Sequence, residues 1–147
     1  MRREESKHKG SRAALAGSMG LVALIAGAEA CRADALESRL IGAWAASAAD
    51  CARLFEPRGG APVFRQPVDK FAQAAIIAPQ QIVTPSNTCR VQKVSHQGGA
   101  IKVTANCNDT IGYSTDTAEI RFGSGGEIIY SATGDPSLAT TLIKCRP

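Results

Sequence analysis

The second half of the chain alternates between apolar and polar side chains. The clearest run is 101–107, where apolar side chains occupy the odd positions and Lys102, Thr104 and Asn106 separate them. This period of two is typical of a strand with one buried face, because successive side chains of a strand point to opposite sides. Residues 89–91 and 118–122 show the same alternation, and 128–131 and 140–145 are expected to be the returning strand and the closing strand. The pattern predicts short antiparallel strands, with a glycine-rich turn at 123–126.

The first half of the chain predicts one helix among further extended segments. Cys51, Leu54 and Phe55 are spaced i, i+3 and i+4, so they share one face of a short helix from about Ala48 to Phe55. Ser47, three residues before an aspartate, is a candidate N-cap for this helix. Extended segments are expected at 41–44, 62–65 and 82–84. Residues 71–78 fit either a helix or a strand, and the two isoleucines before Pro79 favour an extended segment. Prolines and glycines between them indicate loops.

The segments before and after Gly98 predict a specific strand register. A turn centred on Gly98 places Cys89 directly opposite Cys107, with both residues on the apolar face. Opposed residues of an antiparallel pair have close Cβ atoms, as a disulfide requires. Lys93 does not fit the apolar face, so we expect a β-bulge near Lys93 to Ser95.

Residues 1–35 have the composition of a secretory signal peptide. Residues 2–12 carry five basic and two acidic side chains, and the 16 residues from 13 to 28 are uncharged. This apolar run is shorter than the roughly 20 residues of a membrane span, so no stable span is expected in the mature protein. We therefore predict a single exported domain of residues 36–147.

Two sites fit the small-x-small pattern of signal cleavage. A cut after Ala35 removes Cys31 and leaves four cysteines, an even number that suits two disulfides in an oxidising compartment. A cut after Ala30 is the alternative, and it would place Cys31 first, as in a lipoprotein. We expect the cut after Ala35, and hence a periplasmic or secreted protein.

Strands, helix and cysteines together predict the fold class. Pairing of Cys89 with Cys107 leaves a second disulfide, Cys51–Cys145, which would join the helix to the closing strand. Short strands in sequence, joined by tight turns, favour an up-and-down meander that curls to hide its edges. We predict a mainly β domain, a small antiparallel meander closing into a barrel or sandwich, with one short N-terminal helix and two disulfides.

Charge and chemistry-bearing residues narrow the function classes. Residues 36–147 hold eleven Lys and Arg against nine Asp and Glu, a net +2, without a basic stripe among aromatics, so nucleic-acid binding is not expected. His96 is the single histidine of residues 36–147. These residues contain no Cys-x-x-Cys redox motif, no zinc-type spacing of Cys and His, and no Gly-x-Ser-x-Gly nucleophile motif. We therefore predict no catalytic residue, no metal, no cofactor and no enzymatic activity.

Two parts of the domain are candidates for binding. The loop from Glu56 to Lys70 concentrates basic side chains among prolines and next to aromatic residues, a composition enriched at binding hot spots. Its candidate partner-binding residues are Arg58, Phe64, Arg65 and Lys70. Trp44 is the candidate for lining an apolar ligand site inside the barrel. The alternative interpretations are an ordinary covering loop and a tryptophan that belongs to the core.

Gly42-Ala43-Trp44, followed by a meander of hairpins, resembles the opening of lipocalins. The small size, the export signal and the few disulfides are similar to small periplasmic inhibitor barrels of bacteria, which block lysozymes or proteases. Residues 36–147 also resemble uncharacterised exported β proteins of alphaproteobacteria. With the missing catalytic groups, these resemblances imply a non-catalytic binding module, such as an inhibitor, that docks on a protein partner in the cell envelope. The alternatives are a carrier of a small apolar ligand and a structural envelope protein.

Overall fold

The protein is an antiparallel β-barrel with a helix and a β-hairpin packed on its outside. The computed structural model describes residues 35–132 and 135–146. Helix α1 spans Ala48–Leu54, and short 3₁₀ helices span Ser38–Leu40 and Pro136–Leu138. The strands are β1 (Gly42–Ala45), β2 (Phe55–Arg58), β3 (Ala61–Phe64), β4 (Ala74–Ala78), β5 (Gln81–Val83), β6 (Thr88–Gln97), β7 (Ala100–Asn108), β8 (Tyr113–Phe122), β9 (Ile128–Ser131) and β10 (Thr140–Lys144).

Eight strands close into one barrel in the order β1-β10-β9-β8-β7-β6-β5-β4. Closure occurs at β1, which pairs with β10 on one side and with β4 on the other. Strands β4 to β10 are each hydrogen-bonded to the next in sequence, so the barrel is an up-and-down meander. The predicted mainly β fold is therefore confirmed. The structure adds a hairpin of β2 and β3 that stands apart from the barrel sheet.

The alternating apolar side chains fill the barrel interior. Its largest fully buried residues are Trp44, Leu40, Ile77, Ile120, Ile128, Val91 and Val103. The segment 36–40, which contains the 3₁₀ helix Ser38–Leu40, covers one end of this core with the side chains of Leu36 and Leu40. The Leu36 N–H donates to the carbonyl oxygen of Pro79 at 2.7 Å, which fixes the start of the domain against the β4–β5 turn.

A second, smaller core lies between the outer face of the barrel and α1. The outward side chains of β1 are Ala43 and Ala45, and their small size lets α1 and Phe55 pack close to the sheet. Ser47 caps the helix as predicted, because its Oγ accepts from the Asp50 N–H at 3.1 Å. Both predicted disulfides are present, with S–S distances of 2.02 Å for Cys51–Cys145 and 2.07 Å for Cys89–Cys107.

The β6–β7 hairpin contains two registers joined by a bulge. Cys89 pairs with Cys107 as predicted, but Gln97 pairs with Ala100, so the turn is centred between Gly98 and Gly99 and not on Gly98. The register shifts at Gln92, between Val91 and Lys93, one residue before the expected bulge. Both turn glycines have positive φ, as a two-residue hairpin turn requires. The extra residue keeps the apolar side chains on the inner face along the whole of β6.

The predicted signal peptide lies almost wholly outside the described residues, which begin at Ala35. Within the described ranges, the structure contains no helix long and apolar enough to cross a membrane.

Candidate binding surface

Four connections leave the barrel at one end, because neighbouring strands run antiparallel. This end, which we call the loop end, carries the segment before β4 and the β5–β6, β7–β8 and β9–β10 connections. Three of these connections hold a large apolar side chain in solvent: Phe71, Ile111 and Leu138 are 95%, 93% and 64% exposed. The structure therefore places three exposed apolar side chains on three separate connections at the same end of the barrel.

The β7–β8 loop is fixed by one aspartate. Asp109 Oδ1 accepts from the backbone N–H of Ile111 at 2.7 Å and of Gly112 at 2.9 Å. The Asp109 N–H in turn donates to the Gly112 carbonyl oxygen at 3.1 Å. Ile111 and the neighbouring Tyr113, which is 89% exposed, are therefore presented to solvent on a backbone held by three hydrogen bonds.

The segment before β4 is fixed in the same way and is also tied to α1. Asp69 Oδ1 accepts from the Phe71 N–H at 3.1 Å, while Asp69 Oδ2 receives a hydrogen bond from Arg53 Nη1 at 3.1 Å. Arg53 Nη2 also donates to Asp50 Oδ1 at 2.9 Å, and both residues belong to α1. The backbone that carries Phe71 is thus connected to the outer core through a chain of three charged side chains.

The β9–β10 connection repeats the arrangement a third time. Asp135 Oδ1 accepts from the Ser137 N–H at 2.8 Å and from its Oγ–H at 2.7 Å. The buried Ser131 hydroxyl donates to the Asp135 carbonyl oxygen at 2.8 Å, which attaches the connection to the end of β9. The 3₁₀ helix that follows ends at Leu138, the third exposed apolar residue.

Each of the three connections therefore has an aspartate that accepts the N–H of the residue two positions later. These donors favour the ionised carboxylate, so the pKa of each aspartate is held below its ordinary value of 3.8. At Asp69, the largest cause of the lowered pKa is the hydrogen bond from Arg53. At Asp109 it is the hydrogen bond from the loop's own backbone, and at Asp135 it is the hydrogen bond from the loop's own hydroxyl group. At neutral pH the three carboxylates are charged and the loops are held in place.

The interior of the barrel offers much less room than this outer surface. A cavity of about 60 Å³ lies inside the barrel near the loop end, and Cys89, Cys107, Asp116 and Tyr130 are among its lining residues. Pockets that take drug-sized molecules have volumes of roughly 300–1,000 Å³. Burial, with a smaller effect from the Asp116 charge, raises the pKa of the Tyr130 phenol above 10.0. A larger concavity of about 480 Å³ is a surface groove at the opposite end, between the β8–β9 turn and the end of β10.

Trp44 lies in the packed core and is only 1% exposed. Its indole N–H donates to the Leu40 carbonyl oxygen at 2.7 Å, so the one polar atom of the ring is satisfied within the protein. Trp44 is not among the residues that line the described cavity. Its position favours a structural role over the predicted ligand-lining one.

The two predicted partner-binding arginines share one acidic neighbour. Arg58 lies on the β2–β3 hairpin, and Arg65 directly follows it. Arg58 Nη2 is 2.8 Å from Glu56 Oε1, and Arg65 Nη1 is 3.7 Å from Glu56 Oε2. Glu56 offsets part of their positive charge, although such exposed ion pairs contribute little to stability.

The other two predicted residues fall in different surroundings. Phe64 is half-buried, and its ring centroid lies 5.0 Å from that of Phe55 beneath the hairpin. Lys70 is exposed and directly precedes Phe71, at the loop end. The structure therefore brings Arg58 and Arg65 together, places Phe64 in the smaller core and joins Lys70 to the exposed apolar residues.

The single described histidine lies apart from the loop end. His96 is exposed, with Nδ1 3.5 Å from Glu37 Oε1 at the end opposite the loop end. In the ranges 35–132 and 135–146, there is no group of three or more His, Cys, Asp or Glu side chains that could hold a metal ion.

Sequence reasoning missed the importance of Ile111 and Leu138. Each follows an aspartate within three residues, in a connection between two strands, and Phe71 follows Asp69 in the same way. Aspartate accepts hydrogen bonds from backbone N–H groups one or two residues ahead in many turns, so it is a readable sign of a fixed loop. What the sequence does not show is that the three loops share one end of a barrel.

Comparisons with models of known protein families, with curated proteins and with solved structures find no match to this chain. Its class is therefore defined by its own geometry, as a small disulfide-bonded antiparallel β-barrel with an apolar loop end.

Proposed function

We propose that the protein is an exported, non-catalytic binding module that docks on a protein partner in the cell envelope through its loop end. The observation that carries the proposal is the presence of three aspartate-fixed connections at one end of the barrel, each with an exposed apolar side chain. Apolar side chains on a fixed backbone suit binding, because less conformational freedom is lost when the complex forms.

Export is supported by the disulfides and by the composition of the first residues. Disulfides persist in the periplasm and outside the cell and are rare in the cytosol. Leu36 is buried and hydrogen-bonded to Pro79, so a cut after Ala35 would leave the barrel core complete. A cut after Ala30, with a lipid on Cys31, would anchor the same barrel to a membrane, and the docking proposal holds for both forms.

A protein partner fits better than an apolar small molecule. The described interior is packed with side chains, and its cavity of about 60 Å³ is too small for a drug-sized ligand. The exposed side chains, in contrast, lie on separate loops around one end of the barrel, which suits a broad protein surface.

The test is capture of a partner by the exported protein immobilised on resin. Envelope extract is applied with and without excess free protein, so that only saturable binding is scored. The double variant Phe71→Ser and Ile111→Ser should lose this binding, because interface hot spots are few and apolar anchors dominate them. Both side chains are almost fully exposed, so stability should change by less than about 0.5 kcal/mol.

The matched control is Ile129→Ser, which replaces an apolar side chain on the outer face of β9, away from the loop end. This variant should capture the partner as the unaltered protein does. Equal capture by the double variant, or loss of capture in Arg58→Glu with Arg65→Glu alone, would place the binding surface elsewhere.

A further inference from the structure

The charges of the described residues are unevenly distributed along the barrel axis. All five aspartates of the described ranges lie in or next to the loop end, and the cations there are Arg53, Lys70 and Arg90. These aspartates are Asp50, Asp69, Asp109, Asp116 and Asp135. Five negative against three positive side chains give the loop end a net charge of about −2.

The opposite end has the reverse balance. It holds Arg39, Lys102, Arg121, Lys144 and Arg146 against Glu37, Glu119 and Glu127. The net charge of +2 for residues 36–147 is therefore a sum that includes two ends of opposite sign. The net charge of the sequence does not show this difference, because the aspartates are far apart in the chain. The antiparallel topology brings them to one end of the barrel.

The loop-end charges persist over a wide pH range. The donors that fix the loops also favour the ionised form of Asp69, Asp109 and Asp135, so these carboxylates stay charged well into mildly acidic conditions. At Asp109 both loop hydrogen bonds use Oδ1, so Oδ2 keeps its acceptor capacity for another molecule.

We propose that the partner surface combines apolar and basic side chains, with arginine or lysine side chains facing the loop-end aspartates. This inference rests on the proposed docking function and specifies the chemistry of the partner. Complementary charge speeds encounter and excludes wrong partners. The same negative charge disfavours insertion of the exposed apolar residues into an anionic membrane, which attracts basic segments.

The experiment uses a random peptide library displayed on phage and selected on the immobilised protein. Peptides that bind the loop end are those lost with the double variant Phe71→Ser and Ile111→Ser. We expect these peptides to combine aromatic or aliphatic residues with a net positive charge. Their affinity should fall several-fold when NaCl is raised from about 50 to 300 mM, because exposed charges are screened.

Charge-removing variants test the aspartates directly. Asp109→Asn and Asp135→Asn keep the carbonyl oxygen that accepts the loop N–H groups but remove the charge. The double variant should bind the selected peptides about tenfold more weakly and with less salt dependence. Glu119→Gln with Glu127→Gln, a matched loss of two charges at the opposite end, should leave the affinity unchanged.

The outcomes separate the two proposals. Neutral or acidic peptides that still require Phe71 and Ile111 would overturn the basic-partner inference and leave the docking function standing. Binding to vesicles with 30% phosphatidylglycerol, abolished by the same double variant, would also overturn the inference in favour of a membrane. Failure to select any peptide or vesicle that depends on these two residues would count against the docking function itself.

Discussion

The bulge at Gln92 leads to a prediction about two single-residue deletions in the same strand. Val91 pairs with Ala105 and Lys93 with Thr104, so Gln92 has no partner on β7. Deleting Gln92 would leave Val91 and Lys93 as consecutive residues with unchanged partners. Every side chain of β6 would keep its face, and the Cys89–Cys107 bond would be retained. Deletion of Ser95, two residues beyond Lys93, has a different result.

Without Ser95, β6 has one residue fewer between Cys89 and the turn. Residues 92–94 must therefore change their pairing with β7 if the turn and the disulfide are kept. Lys93 would then oppose Val103 on the inner face, and Val94, which packs against the core, would point outward. Losing the burial of a valine costs up to about 1.5–3 kcal/mol. A lysine directed into this core adds about 3 kcal/mol, since the desolvation of its charge is met by a single carboxylate, Asp116, which lines the same part of the interior. We therefore expect more than about 4 kcal/mol of destabilisation for the Ser95 deletion, and less than about 1 kcal/mol for the Gln92 deletion.

Urea unfolding measured by tryptophan fluorescence provides the assay. Trp44 is the only tryptophan and is 1% exposed, so its emission reports on the core without added labels. The Gln92 deletion should unfold near the urea midpoint of the unaltered protein, and the Ser95 deletion should be largely unfolded without urea. Equal destabilisation by the two deletions would refute the view that Gln92 serves only to keep apolar side chains on the inner face.

Three further predictions concern the core, the outer disulfide and the loops. Trp44→Phe removes the donor to the Leu40 carbonyl oxygen and should lower the free energy of unfolding by about 1–3 kcal/mol in urea titrations followed by circular dichroism, since the variant has no tryptophan. Cys51→Ala with Cys145→Ala opens a loop of 94 residues, which chain entropy equates with about 4.7 kcal/mol, measured by thermal unfolding. Asp109 has a pKa lowered from 3.8 on folding, so its stabilisation is present above that pH and lost as the pH falls below it. The Asp109→Asn variant should therefore show a weaker loss of stability between about pH 4 and pH 2.

Much of the fold follows from local sequence patterns. The alternation in 101–107 predicts a half-buried strand, and matching parity on both sides of the turn predicts the pairing of Cys89 with Cys107. These inferences succeed because a strand's side-chain period and a disulfide's Cβ distance are strict constraints. The turn centre was wrong by half a residue, because a bulge changes the register without changing the faces.

The binding surface is harder to predict, since it depends on residues distant in sequence. Arg58, Arg65 and Lys70 stand out in a proline-rich loop, but the fold places the first two beside Glu56 and directs only Lys70 to the loop end. Ile111 carries no signal of exposure by itself, because an isoleucine between strands is equally compatible with burial. Its exposure follows from the Asp109 hydrogen bonds and the barrel topology together.

Amide hydrogen exchange of the complex tests the docking proposal most directly. The exported protein is measured alone and with the partner recovered by envelope capture, and protection is mapped along the chain. The loop-end account predicts new protection at 69–72, 109–113 and 135–139, with little change in the hairpin 55–64. Protection confined to that hairpin or to the outer face of β6–β8 would contradict it.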